Sequence, residues 1–208
     1  MKLTKERIVD AGMAVFAQAG YHGLSMRQVA DRLDAHAGSL YYHVRNKDEL
    51  LTLMADRVCH QAHAACTAAL DALPPGATWQ QSLGAQATAL RRTIREHPGG
   101  ALLLADSPKG LSTGGLSLME RLLETFRAAG LSAEDSAVAA DTLLSHVTGF
   151  VLQESTQRPA PAVSAELHGE LCARFPLVMT TLPRWSEDEK FERSIALLCT
   201  AFAARARS

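Results

Sequence analysis

No stretch of this chain approaches the about 20 consecutive apolar residues that a membrane span needs. The charged segment from Met1 to Asp10 also lacks the apolar core of a signal peptide. The expected setting is the cytoplasm, with no membrane partner. Alternation of apolar and polar residues with a period of two is nearly absent, which argues against a sheet. Cys59, Cys66, Cys172 and Cys199 form no C-x-x-C pair. That scatter tells against a metal cluster or a disulfide framework and favours buried or free thiols. Excess charge is missing too: 21 Lys and Arg face 22 Asp and Glu. A near-neutral total still allows nucleic acid, because screening confines useful electrostatics to about a Debye length and one basic face suffices. No internal repeat is visible.

What is present is helical periodicity in a chain of 208 residues, 47% of them apolar, enough for one large helical domain with a small one attached. Helix starts are marked by a capping residue followed three positions on by a partner able to return the hydrogen bond. Ser25 with Gln28, Asn46 with Glu49, Thr78 with Gln81 and Ser186 with Glu189 have this form, and Ser132 with Asp135 is a shorter variant. Breakers fall between: Gly20 and Gly23, Pro74-Pro75-Gly76, Pro98-Gly99-Gly100, Gly114-Gly115, Gly130, Pro159 and Pro161, and Pro183. The pattern predicts an all-α fold of about ten helices, near 5–19, 25–32, 36–42, 46–71, 78–96, 98–106, 112–129, 132–157, 164–179 and 187–205. The stretches Ser107 to Gly115 and Arg158 to Ser164 read as mobile loops.

In the first fifty residues, Ile8, Ala11, Gly12, Val15, Phe16 and Ala19 form one apolar stripe, and Leu24, Val29, Ala30 and Leu33 a second. Leu40 and Val44 anchor a third helix, and Leu50 and Leu51 open a fourth. Three short helices around one small core is the plan of a helix-turn-helix. Facing outward from the third are Ser39, Tyr41, Tyr42 and His43, then Arg45 and Lys47. Such groups suit phosphate anchoring and base-edge contact. A solvated face beside a minor core is the plainer alternative.

The run Leu24-Ser25-Met26-Arg27-Gln28-Val29-Ala30-Asp31-Arg32-Leu33, then Ser39-Leu40-Tyr41-Tyr42-His43-Val44-Arg45-Asn46-Lys47-Asp48-Glu49-Leu50-Leu51, resembles the DNA-reading module of the tetracycline-repressor family. The resemblance implies an N-terminal three-helix helix-turn-helix domain over residues 1–48 and a helical ligand-binding and dimerisation domain over 49–208. It implies that Arg27 reaches a base edge, that Ser39, Tyr41 and Lys47 clamp phosphates, and that Tyr42 and His43 meet bases or sugars. The N-terminus of the fourth helix would offer backbone donors to phosphate. Asp34 stands where the family usually has glycine in the turn; Asp tolerates the left-handed conformation better than most residues. Ala37 and Gly38 replace longer side chains and remove a base contact.

Beyond residue 60 the resemblance is sparse: Trp79-Gln80, Arg91-Arg92, and Ser145-His146-x-Thr148 running on to Glu154. In tetracycline repressors a histidine after the fifth helix ligates the magnesium of a drug chelate. Alignment puts Leu104 there, and leucine has no lone pair for a hard cation. Glu154 matches the family's carboxylate, and His63 and Gln86 fall where the drug's polar edge is held. The expectation is therefore no cofactor and no metal, with an apolar organic effector in a cavity of Leu90, Leu103, Leu104, Leu122, Phe126, Leu143 and Phe150 with those polar groups. Packed core is the alternative for each residue taken singly.

His60 and His63 could in principle bind zinc or nickel, but nothing nearby completes a site. Ser145 and His146 are adjacent and cannot face each other on a helix, so no catalytic constellation emerges and no enzyme is expected. Phe191, Ile195, Leu198 and Phe202 on the last helix, with Ala140, Val147 and Val151 on the eighth, predict a four-helix seam between two copies, a homodimer. The expected function is a transcriptional repressor that binds palindromic operator DNA and is released by a small molecule. The alternatives are a ligand-binding or enzymatic protein with a vestigial DNA module, or a ligand-dependent activator. A decayed module would be expected to lose some of Arg27, Tyr41, Tyr42 and Lys47, and all four are present.

Overall fold

The computed structural model describes residues 2–106, 112–156, 163–181 and 185–206. Among them are eleven helices and no strand: α1 Lys5–Gly23, α2 Met26–Arg32, α3 Ala37–Leu40, α4 Lys47–Asp71, α5 Trp79–Glu96, α6 Gly100–Asp106, α7 Thr113–Ala128, α8 Ala133–Thr156, α9 Ala165–Arg174, α10 Pro176–Thr181 and α11 Glu187–Ala206. Of the two stretches expected to be loops, residues 107–111 and 158–162 lie outside the described residues, and α7 begins at Thr113, inside the first.

The eleventh helix comes from a division within the expected 164–179 segment. Pro176 has no N–H to continue the ladder, and Phe175 before it leaves the helical region at φ −130°, ψ 57°. The expected end of α1 at residue 19 corresponds to a real break, since Gly20 takes φ +67° inside the helical run. Thr78 and Gln81 close a full capping box, and Ser186 and Glu189 exchange the same pair of bonds. At α4, Asn46 caps Glu49 N, while the Glu49 carboxylate reaches one residue further back, to Arg45 N.

Buried residues fall into two cores. One gathers Ile8, Val15, Phe16, Leu24, Val29, Leu40 and Val44 from the first three helices with Leu50, Met54 and Val58 of α4. The other gathers Leu83, Leu90, Leu122, Phe126, Leu143, Phe191 and Phe202 from α5, α7, α8 and α11. Helix α4 feeds both, since its Ala62 and Cys66 belong to the second. Helix α6 does the same: Leu103 packs in the first core, Ala101 in the second, and Leu104 touches both. Leu103 is thus a head residue, not part of an effector cavity.

Two glycines permit the close approaches that fix this layout. A Cβ on Gly12 would sit 3.0 Å from Met54 Sδ, where α1 crosses α4. A Cβ on Gly114 would fall 2.4 Å from Asp56 O, so the start of α7 lies directly on the middle of α4. There Asp56 Oδ1 accepts from Gly114 N at 2.6 Å, and His60 Nε2 lies 3.1 Å from Thr113 Oγ1. His60 is therefore half of a helix-to-helix contact.

Candidate functional site

The turn between α2 and α3 forms as its residues require. Asp34 has φ +50°, and Ala35 N donates back to Ala30 O, closing the helix end around the left-handed residue. Aspartate thus fills the usual glycine position. The third helix is shorter than the expected 36–42. Its regular part is Ala37–Leu40, after which His43 N and Val44 N both donate to Leu40 O. Gly38 and an N-cap, His36, that makes no side-chain capping bond leave little to extend it.

Leu40 and Val44 are fully buried and orient this segment, and the remaining side chains point outward. Tyr42 is 91% exposed and Tyr41 52%. Arg27 is exposed at the start of α2, with Ser39 and His43 half-buried beside the tyrosines. Lys47, expected to clamp a phosphate, is engaged within the chain. Its Nζ donates to Tyr21 O at 2.8 Å and sits 4.6 Å from the centre of the Tyr21 ring. Lys47 therefore ties α4 to the end of α1, and a phosphate would have to share it. At the start of α4, Arg45 N and Glu49 N already have side-chain partners, which reduces the donors free for a phosphate.

In the body, most of the expected effector residues pack together in the second core. Leu90, Leu122 and Phe126 are buried in the second core, and Phe126 packs edge-on against Phe202 at 5.1 Å. Hollows open elsewhere: a groove of about 920 Å³ between α5 and α11, and smaller ones of about 590, 530 and 250 Å³. Of the expected effector residues only His63 and Glu154 line any of these four. Phe150 instead packs against Phe191 at 5.1 Å.

Polar groups of the body are largely engaged with one another. Glu154 accepts from Arg91 with both oxygens, at 3.1 and 2.5 Å, and Arg91 also reaches Asp188 at 2.8 Å. The guanidinium lies over both the Phe150 and Phe191 rings, 5.2 and 4.7 Å from their centres. The Glu154 bond raises the Arg91 pKa. Sequence reading noted Arg91 and Glu154 separately and missed that they pair, because 63 residues separate them. Gln86, fully buried, donates to Thr125 Oγ1 at 2.7 Å, and its Oε1 has no partner among the described residues. Thr67 Oγ1 on α4 and Arg121 Nε on α7 are in the same condition.

The expected dimer stripe is corrected in detail. Phe191, Ile195 and Phe202 are buried within their own chain, so they belong to its core. The outward face of α11 carries Leu197, 72% exposed, with Ala201 and Ala204 one and two turns on. Val138 and Thr142 are its exposed counterparts on α8. A serine–histidine pair does form, between His146 Nε2 and Ser194 Oγ at 2.7 Å. Ser194 donates its own proton to Phe191 O, so the imidazole must be the donor and does not activate the hydroxyl. Burial lowers the His146 pKa.

Family models match both parts of the chain. Residues 8–54 match the bacterial regulatory proteins of the tetR family, and residues 73–202 match the tetracyclin repressor-like C-terminal domain. The chain belongs to the TetR family. Its members are DNA-binding transcriptional regulators, and the first of the two matches spans the helix-turn-helix. Among its relatives, an HTH-type transcriptional regulator of Saccharopolyspora erythraea is 33% identical over 156 residues, 75% of this chain but only 63% of the relative's length. The class A tetracycline repressor of Escherichia coli is 25% identical over 98% of this chain and 92% of the repressor. Apo ActR from Streptomyces coelicolor superposes with a TM-score of 0.82 at 29% identity, covering 99% of this chain and 98% of ActR. No helix among the described residues is long and apolar enough to cross a membrane, and none of them form a group of three or more metal-ligating side chains.

Proposed function

We propose that this TetR-family chain is a cytoplasmic repressor that binds a palindromic operator as a homodimer and leaves it when a small organic molecule enters its body. The observation that carries this reading is the outward face of α2 and α3, where Arg27, Tyr41 and Tyr42 stay exposed while Leu40 and Val44 hold the segment rigidly in the head core. Solved relatives support both halves. BioQ has been crystallised with its double-stranded DNA operator, and it is 27% identical to this chain. ActR, 29% identical, has been crystallised with actinorhodin and with (S)-DNPA. A repressor of Streptomyces coeruleorubidus is 32% identical over 76% of the chain.

The effector is read as an apolar molecule with one or two hydrogen-bonding groups, bound without a divalent metal. Leu104 offers no lone pair at the position of the family's metal-binding histidine. The unpartnered Gln86 Oε1, Thr67 Oγ1 and Arg121 Nε supply two acceptors and a donor between α4, α5 and α7. Buried polar atoms are seldom left so, and a ligand hydroxyl or carbonyl would satisfy them. Because the core is closed around Leu90, Leu122 and Phe126, the effector must open it, and that movement couples to the head through α4 and α6. Such couplings are typically about 1–3 kcal/mol.

The test is a fluorescence-anisotropy titration against DNA from the gene's own promoter region. Arg27→Ala should cost about 1–3 kcal/mol of binding and leave thermal unfolding within about 0.5 kcal/mol of the parent. Equal binding by the parent and the variant would remove Arg27 from the interface.

A further inference from the structure

Between the α5–α6 turn and the last turns of α8 lies a cavity of about 250 Å³. It is separate from the layer of Gln86 and Thr125. Ile94, Pro98, Leu102 and Val151 give it apolar walls, and Arg95, His97, Glu154 and Ser155 bring polar groups to it. The Glu154 carboxylate is already neutralised by Arg91 in a two-bond pair. Arg95 is exposed and makes no ion pair among the described residues, so the uncompensated charge here is positive. Burial lowers the His97 pKa, and its Nε2 lies 2.5 Å from Gln61 Oε1.

The wall formed by Pro98-Gly99-Gly100 has a second side. Gly99 sits at φ +74°, and a Cβ there would fall 2.7 Å from Cε1 of Phe16, a core residue of the DNA-reading head. The turn is tied at both ends: Gly100 N donates to His97 O at 2.7 Å and Leu103 N to Gly99 O at 2.9 Å. A turn braced in this way moves as a unit, so filling the cavity on one side presses on Phe16 on the other.

We propose that this cavity is a second small-molecule site, for a compact apolar monocarboxylate, and that its occupancy is felt in the head through Gly99 and Phe16. The volume suits a single ring or a short branched chain, below the size of typical drug-like ligands. The carboxylate would pair with Arg95, and the hydrocarbon would lie against Ile94, Leu102 and Val151. This site is independent of the effector core, so either can exist without the other.

Benzoate is the probe, titrated into the full-length protein while backbone amide resonances are followed, with benzyl alcohol as the uncharged comparison. Saturable shifts are expected at Gly99, Gly100, Leu102 and Val151, continuing to Phe16 and its neighbours on α1. Arg95→Gln should raise the benzoate Kd about tenfold, as loss of a charge-assisted hydrogen bond does. Ser155→Trp should block the cavity, and both positions are exposed, so neither variant disturbs a core. Absence of saturation, or shifts centred on Gln86 and Thr125, would overturn the second site, the latter while supporting the effector core. Equal affinity for benzyl alcohol would overturn the carboxylate class. Shifts that stop at Gly100 would overturn the link to the head.

Discussion

Tyr42 in the head leaves 91% of its surface in solvent, whereas the charged side chain of Arg91 in the body leaves 7%. Around Tyr42 a small apolar core leaves polar side chains facing solvent. Around Arg91, carboxylates from α8 and α11 and two aromatic rings satisfy the group from inside. The contrast separates two uses of polar side chains. Substitutions on the head's outer face should change DNA binding and leave stability alone, while those in the body should change stability first. Each experiment below tests that division.

The largest effect is expected at Phe126. It is fully buried against Phe202, so Phe126→Ala should cost about 3–5 kcal/mol in a denaturant titration. A loss below about 1 kcal/mol, the range of tolerated core changes, would mean that Phe126 already borders an open space. The expected effector cavity would then exist without ligand.

Glu154→Ala comes next. Removing one partner of a buried pair typically costs about 3–5 kcal/mol, and Asp188, whose side chain is 75% exposed, would retain part of the interaction. The lower end of that range is therefore expected. Replacing Arg91 and Glu154 together by leucine should recover most of the loss, because no buried charge is then left alone. If Glu154→Ala left stability unchanged but altered effector response, the carboxylate would serve the ligand as the family resemblance implied, and the division would fail at that residue.

These two residues show where sequence reading reached and where it stopped. The head was legible because its determinants are local: Leu40 and Val44 set the orientation of Tyr41 and Tyr42 within one turn, and Asp34 takes its left-handed turn from its immediate neighbours. Helix starts were legible for the same reason, since a cap needs only a partner three residues on. The body was less legible because its pairs join distant segments, as Arg91 with Glu154 and Asp188, or His146 with Ser194. The stripe of Phe191, Ile195 and Phe202 was visible as apolar, yet a helical period cannot say whether such a face meets its own chain or a second one. Burial decides it: those side chains are internal, and Leu197 is the residue left outside.

Leu197→Glu should accordingly dissociate the dimer in sedimentation while the monomer keeps its stability within about 0.5 kcal/mol, as exposed positions do. Ile195→Glu, which places a charge in the core, should unfold the chain instead. A dimer that persists in Leu197→Glu would move the seam away from this face of α11.

The smallest effect expected is a pH dependence, and it comes from the body and the junction beneath the head. Burial lowers the pKa of both His97 and His146. Beside His97, Glu96 opposes that shift and Arg57 adds to it. His146 faces Phe150, Phe191 and Ser194, and Arg91 lies over the Phe191 ring. With folded values below the unfolded value near 6.5, the unfolded chain binds more protons as pH falls. Stability is then fully present above about 6.5, declines as pH drops through that value, and levels off below the folded pKa values. His146→Gln keeps a donor toward Ser194 but cannot titrate, so it should flatten part of the slope between pH 7 and 5 in thermal melts. His97→Gln should remove a separate part, and the two should add, because among the described residues no hydrogen bond or ring contact joins the two sites. An unchanged slope in the double variant would remove both histidines as its source.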